Sequence, residues 1–351
     1  MAIRVRHAAA VCLSCTLGPT ALGQSNVRPV AELALPSVTA MALAGAPSHA
    51  SIGYPSRPPH SPDASTAEDE LSELIPATGR EEPRLAVEIT ARAQPDSELS
   101  NGSGELAIQR GGWKATLASE LSAHTALGVQ VGMEASFYDF GGPTILVPGT
   151  NDPLNDVYRT SLGASLYSQE TGALGWFTGF DATFAGEDEA RFADSCIAGG
   201  VAGVRYSNGP ERCVSLGLAV LDQLEGSPWV FPYLGLDLKL RDGTRLSLEG
   251  SKVSLEQDLG ERWNVSLSGS YELRQYRLNP EGPLPSGTFR DDQILLVLGL
   301  ERRAPEGLGF ELNIGGSVWQ ELAFEDAGGN RVGLGEVEPS AFVQLGLRFG
   351  F

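Results

Sequence analysis

Histidine, cysteine and clustered carboxylates are the side chains on which acid–base, nucleophilic or metal chemistry would rest, and this chain of 351 residues spaces them poorly for it. Of its four histidines only His124 lies beyond residue 60, in a short turn at 123–125 between two alternating segments. A solvated turn side chain is the plain reading of such a position. Glu187, Asp188 and Glu189 read as a solvated acidic loop. Asn151, Asp152, Asn155 and Asp156 offer oxygens but lack the spacing of a calcium loop. Beyond residue 23 there is no CxxC pair, and the chain has no zinc-spaced His/Cys cluster and no phosphate-cradling glycine loop. The sequence therefore points to no enzyme, no metal and no cofactor.

Two of the four cysteines, Cys12 and Cys15, lie near the start of the chain and two, Cys196 and Cys213, near its middle. Arg4, Arg6 and His7, a small and apolar run over 8–22, and Ala21-Leu22-Gly23 have the three-part layout of a secretory leader over 1–23. A competing reading makes Cys15 the lipidated residue of a lipoprotein signal. Cleavage near Gly23 leaves Cys196 and Cys213, a candidate disulfide in an exported chain, or else two unbridged small side chains on paired strands.

The remaining chemistry-bearing groups are charges set at every second position. Residues 24–84 are rich in Pro, Ala and Ser with an acidic run, and cannot bury enough apolar area to offset ordering, so a disordered segment is expected there. From Leu85 onward the period becomes two: Leu85, Val87 and Ile89 alternate with Glu88 and Thr90, and Val129, Val131 and Met133 with Gln130 and Glu134. The same rule holds over 105–121, 158–168, 174–184, 214–220, 230–240, 246–253, 263–273, 294–300 and 310–318, and more weakly over the Gly-rich 197–206. Turn residues such as Asp242-Gly243 and Asn208-Gly209-Pro210 separate the runs, which predicts antiparallel hairpins.

The last run is Ala341, Val343, Leu345, Leu347, Phe349 and Phe351 against Phe342, Gln344, Gly346, Arg348 and Gly350. A closing strand of Val343, Leu345, Leu347, Phe349 and a terminal Phe351 resembles the C-terminal signature of bacterial outer-membrane β-barrels. The resemblance implies export to the bacterial outer membrane, contact with its lipid, and reading of the final strand by the barrel-assembly machinery. It implies an all-β, antiparallel, up-and-down transmembrane barrel over 85–351, of about twelve strands with fourteen as the alternative, since the number must be even. The longer connectors, 139–156, 278–292 and 321–338, are then expected on the outer side.

Charge decides which face meets lipid, because a basic side chain near the bilayer midplane costs about 2–4 kcal/mol. The acids Glu88, Glu120, Glu134, Asp181, Asp237, Glu249, Glu272 and Glu311 and the bases Arg92, Lys114, Arg159, Lys239, Arg274 and Arg348 must then point inward. Such a lining suits a porin-like passive pore for small polar solutes with mild cation preference. It equally suits a salt-bridged plug in a structural or partner-binding barrel. A hydrolase using His124 is the third reading. The net charge of −19 speaks against nucleic acid as a partner.

Overall fold

A computed structural model of the protein describes residues 84–100, 104–122, 124–142, 146–171, 173–207, 212–260, 262–302 and 307–350. The expected leader and the segment up to residue 83 lie outside the described residues, as does Phe351. The first strands are β1 (Arg84–Glu98), β2 (Glu105–Ser122), β3 (Thr125–Gly141), β4 (Val157–Thr171) and β5 (Leu174–Glu187). Then come β6 (Cys196–Ser207), β7 (Arg212–Leu221), β8 (Trp229–Arg241), β9 (Thr244–Glu249) and β10 (Lys252–Leu259). The last are β11 (Trp263–Arg277), β12 (Thr288–Arg302), β13 (Gly307–Glu325), β14 (Arg331–Val337) and β15 (Ser340–Gly350).

From β1 to β13 each strand pairs antiparallel with the next, and β15 closes the ring by pairing with both β13 and β1, as in Glu88 opposite Arg348. Closure leaves no edge strand in the ring, which lipid requires. β14 and β15 form a single stave against β13, interrupted at Pro339, which has no N–H to give the ladder. The N–H of Glu338 still reaches the Glu98 carbonyl at 2.8 Å, so the break stays on β1. The result is a closed barrel of fourteen strands.

The favoured count of twelve is thus corrected to the fourteen given as the alternative. Two strands make the difference: the weakly patterned 197–206 is a full strand, β6, and 246–253 is two short strands folded about Gly250 with Glu249 opposite Lys252. The apolar parity changes there from even (Leu246, Leu248) to odd (Val253, Leu255), as a two-residue turn demands.

The disulfide is corrected as well. Cys213 lies beside Ser207 at one end of the β6–β7 pair, while Cys196 begins β6 at the other end, opposite Phe184. That separation is roughly 35 Å at about 3.3 Å per strand residue, far beyond the roughly 7 Å a disulfide tolerates. The outer connectors are also shorter than expected: β3 runs to Gly141, β12 begins at Thr288, and β13 and β14 leave only residues 326–330 between them.

Alternation sorts the side chains. Large apolar residues such as Ile89, Trp113, Phe180, Leu218, Leu267, Ile314 and Leu345 remain exposed on the outer face. In water so wide an apolar surface would aggregate, whereas against hydrocarbon it is the stable arrangement.

The wall is not of even height. β9 and β10 have only six and eight residues, so above them β8 and β11 lose their neighbours. Arg277 at the top of β11 instead pairs with Gly186 at the top of β5. Residues 194–195 and 222–229 then cover the outer face of β11: Leu224 N–H donates to Gln275, and the Arg277 guanidinium donates to the carbonyls of Asp194 and Leu224 and to Glu225. A Cβ at Gly186 would stand 3.0 Å from the Arg277 carbonyl oxygen and 2.9 Å from Ala190 Cβ. Gly186→Val is expected to lower stability by about 1–3 kcal/mol through overpacking of this junction, read as a lower heat-modification temperature of the folded band on gels. An unchanged temperature would show that β5 and β11 do not meet so closely.

Candidate functional site

The interior is built in three tiers. In the middle tier, strands β1, β2, β3, β11, β12 and β13 send inward a charged and polar layer. Asp291 is fully buried, and its Oδ2 accepts from Arg110 Nη2 at 2.5 Å and from the Tyr138 hydroxyl at 2.8 Å. Its Oδ1 accepts from Gln320 Nε2 at 2.8 Å, and Gln320 in turn accepts from Gln94 at 3.1 Å. Arg92 lies over the Phe342 ring at 3.8 Å and donates to Gln293. Gln293 donates to Glu272 at 3.2 Å, and Arg274 bridges Glu272 at 2.5 Å and Glu134 at 3.2 Å. Three guanidiniums thus face three carboxylates, so the layer is close to neutral. Ion pairs this deep persist because each partner offsets the other's lost hydration.

Above it the mouth is apolar. Tyr138, Tyr276, Phe289 and Phe324 stack with Leu106, Ile108, Leu322 and Val337, with Phe289 edge-on to Tyr138 at 5.1 Å. Leu146, Val147 and Leu154, from the connector after β3, are buried in this cluster. Gly333 and Gly335 on β14 make room for Leu146: a Cβ at Gly333 would overlap the Leu146 carbonyl oxygen, and one at Gly335 would lie 2.5 Å from Leu146 Cδ2. The connector is tied down by Glu187, whose carboxylate accepts the N–H of Asn155 at 2.7 Å and that of Asn279 at 2.6 Å. Glu187 is therefore a buried clamp, a correction to its reading as a solvated loop residue.

Below the middle tier the inward groups are wet. Glu88 and Lys114 pair at 3.2 Å, Asp237 and Arg245 at 2.9 Å, and Lys239 reaches Asp242 at 2.9 Å. Their side chains keep roughly a third of their surface or more, so this half of the interior is open to water.

The residues singled out from sequence divide among the tiers. Arg92, Glu134, Glu272 and Arg274 belong to the middle layer, and Asp181 is buried beside Thr183, which also meets Arg159. Glu88, Lys114, Asp237, Lys239, Glu311 and Arg348 line the lower half, with Glu120 near the end of β2 and Glu249 at the end of β9. Val343, Leu345 and Leu347 are exposed on the outer face of β15, with Phe349 at the same parity. His124 sits in a turn, its N–H on Ser122 Oγ at 3.2 Å. The central residues that sequence reading missed are Arg110, Asp291, Gln293 and Gln320. Arg110 lies before Gly111-Gly112 in the middle of β2, where the glycines interrupt the alternation, and Asp291 fell inside the expected connector 278–292. Extending the parity of Lys114 up β2 would have found Arg110.

No protein-family model and no curated protein sequence matches the chain. Among solved structures it is similar to an outer membrane channel from Pseudomonas putida F1, at 8% identity and TM-score 0.42, over 82% of this chain and 100% of that one. The Pseudomonas putida toluene transporter TodX aligns at 9% identity and TM-score 0.41, over 77% and 89%. LpxR from Salmonella typhimurium aligns at 11% identity and TM-score 0.32, over 75% and 99%. These are distant likenesses of architecture, and the assignment rests on the chain's own geometry. An even-stranded antiparallel ring closed by its first and last strands, apolar outside and charged within, has the fold of a transmembrane β-barrel.

Proposed function

We propose that the barrel is a channel for small polar solutes whose outer mouth is shut in this conformation by the connector after β3. The observation that carries the reading is the make-up of the seal: Leu146, Val147 and Leu154 belong to a connector and not to the wall, so the uppermost block is a movable part. The wet lower half, lined by acids and bases together, suits hydrated solutes, and the acid excess of the inward face adds a mild preference for cations. Outer-membrane lipid meets the apolar belt, and β15 offers the assembly machinery its Val343, Leu345 and Leu347 face. The reading makes the protein a conduit and not an enzyme.

A second reading has support from the middle layer, whose balanced, hydrogen-bonded charges suit a permanent brace in a silent structural barrel. Planar bilayers separate the two. A channel gives stepwise currents that become frequent when residues 146–154 are replaced by a short Gly-Ser link. A variant that inserts as a folded, heat-modifiable barrel yet stays silent at all voltages supports the structural barrel and overturns the channel.

A further inference from the structure

We propose that a pocket outside the barrel wall, on the outer face of β12 and β13, binds a polyhydroxylated molecule of monosaccharide size that is neutral or singly cationic. The inference does not depend on whether the barrel conducts. Thr288 and Arg290 alternate with the inward Phe289 and Asp291, so they point away from the lumen. Residues 222–229 roof this part of the wall, with the Trp229 ring 5.7 Å from the Arg290 guanidinium, and border a half-open cavity of about 260 Å³. Gln223, Glu225, Gln275, Thr288, Arg290 and Glu325 line it, and the exposed Gly226, Gly328 and Gly329 form its rim.

Every lining residue is polar or glycine, which favours a polar ligand. The volume lies just below the usual range for small-molecule sites and suits a single sugar ring. The groups are held in place by their own partners: Glu225 by Arg277 at 2.5 Å, Arg290 by Asp292, Gln275 by the Leu224 N–H at 3.1 Å, and Gln223 by the Ser227 carbonyl at 2.8 Å. A ligand would therefore meet preset hydrogen-bonding groups and lose little to reordering. The lining offers carboxylate and amide oxygens that accept and amide and guanidinium N–H groups that donate, and a sugar hydroxyl does both.

Charge sets the selectivity. Glu225, Asp292 and Glu325 stand against Arg277 and Arg290, and Glu325 forms no ion pair among the described residues, so one negative charge remains. An amino sugar is favoured and a sugar acid repelled. The shared chemistry of a free solute and of a lipid-borne sugar headgroup fits equally.

The test is calorimetric titration of the folded, full-length protein in detergent with glucosamine, glucose and glucuronate. Glucosamine and glucose should saturate, glucosamine binding about two- to fivefold tighter, the worth of a part-exposed ion pair, and glucuronate should not bind. Glu325→Gln should erase the preference for glucosamine while keeping glucose binding. Gln223→Leu should weaken both about two- to tenfold, one neutral hydrogen bond. Absence of saturable binding by either sugar to wild type, glucuronate binding as tightly as glucosamine, or indifference to both Glu325→Gln and Gln223→Leu overturns the proposal. Repeating the titration in nanodiscs with and without lipopolysaccharide assigns the source: loss of binding only with lipopolysaccharide marks the headgroup as occupant, and equal binding marks a free solute.

Discussion

Asp291→Ala is expected to destabilise the folded barrel by about 3–5 kcal/mol, because the Arg110 guanidinium is left charged and buried without its counterion. The carboxylate is fully buried and holds Arg110, Tyr138 and Gln320 together, joining β12 to β2, β3 and β13. Urea titration of the protein refolded in vesicles measures the loss. Much of the penalty belongs to the orphaned charge and not to the pair itself, so Arg110→Met combined with Asp291→Leu should recover most of it. A single variant within about 1 kcal/mol of wild type would mean that water reaches Arg110 and replaces its partner. The middle layer would then be a hydrated constriction and no brace.

Gly333→Ala is expected to open the outer mouth. The added methyl would overlap the Leu146 carbonyl oxygen, and the β14 backbone is fixed by its pairing with β13, so the connector has to move. Moving Leu146 also draws Val147 and Leu154 out of the cluster, which costs burial of about 1.5–3 kcal/mol per aliphatic side chain. That loss is spread over a connector and leaves the fourteen-strand ladder intact. Single-channel recording should show more frequent and longer openings than wild type, with the folded band unchanged on gels. Gly309→Ala is the control, since its Cβ would meet only β12 and β15 atoms, at 3.2 Å and beyond, near the opposite end. A Gly333→Ala barrel as quiet as wild type, together with a silent trimmed variant, would leave the mouth closed by the wall itself.

Much of the fold could be read before any coordinates, and the reason is the period. A strand shows alternate residues to opposite faces, so the cost of a charge in hydrocarbon sorts each segment into lipid side and interior residue by residue. That logic holds wherever a segment is longer than its turns. It failed at 246–253, where two short strands and a two-residue turn are no longer than one ordinary strand and only the change of parity betrays the fold. It failed for Cys196 and Cys213 because neighbouring strands do not make neighbouring residues: register places them at opposite ends.

The sequence by itself determined the class of architecture and, within the long alternating runs, which face is apolar, since these follow from local alternation and the price of desolvating charge. Only the tertiary structure decided what fills the interior. Arg110 and Asp291 are 181 residues apart, and Leu146 meets Gly333 across the mouth; such contacts exist only once closure fixes the register of every strand. The meeting of β5 with β11, and the pocket it leaves outside β12, arise from the short β9–β10 hairpin, whose effect on height is a property of the whole ring.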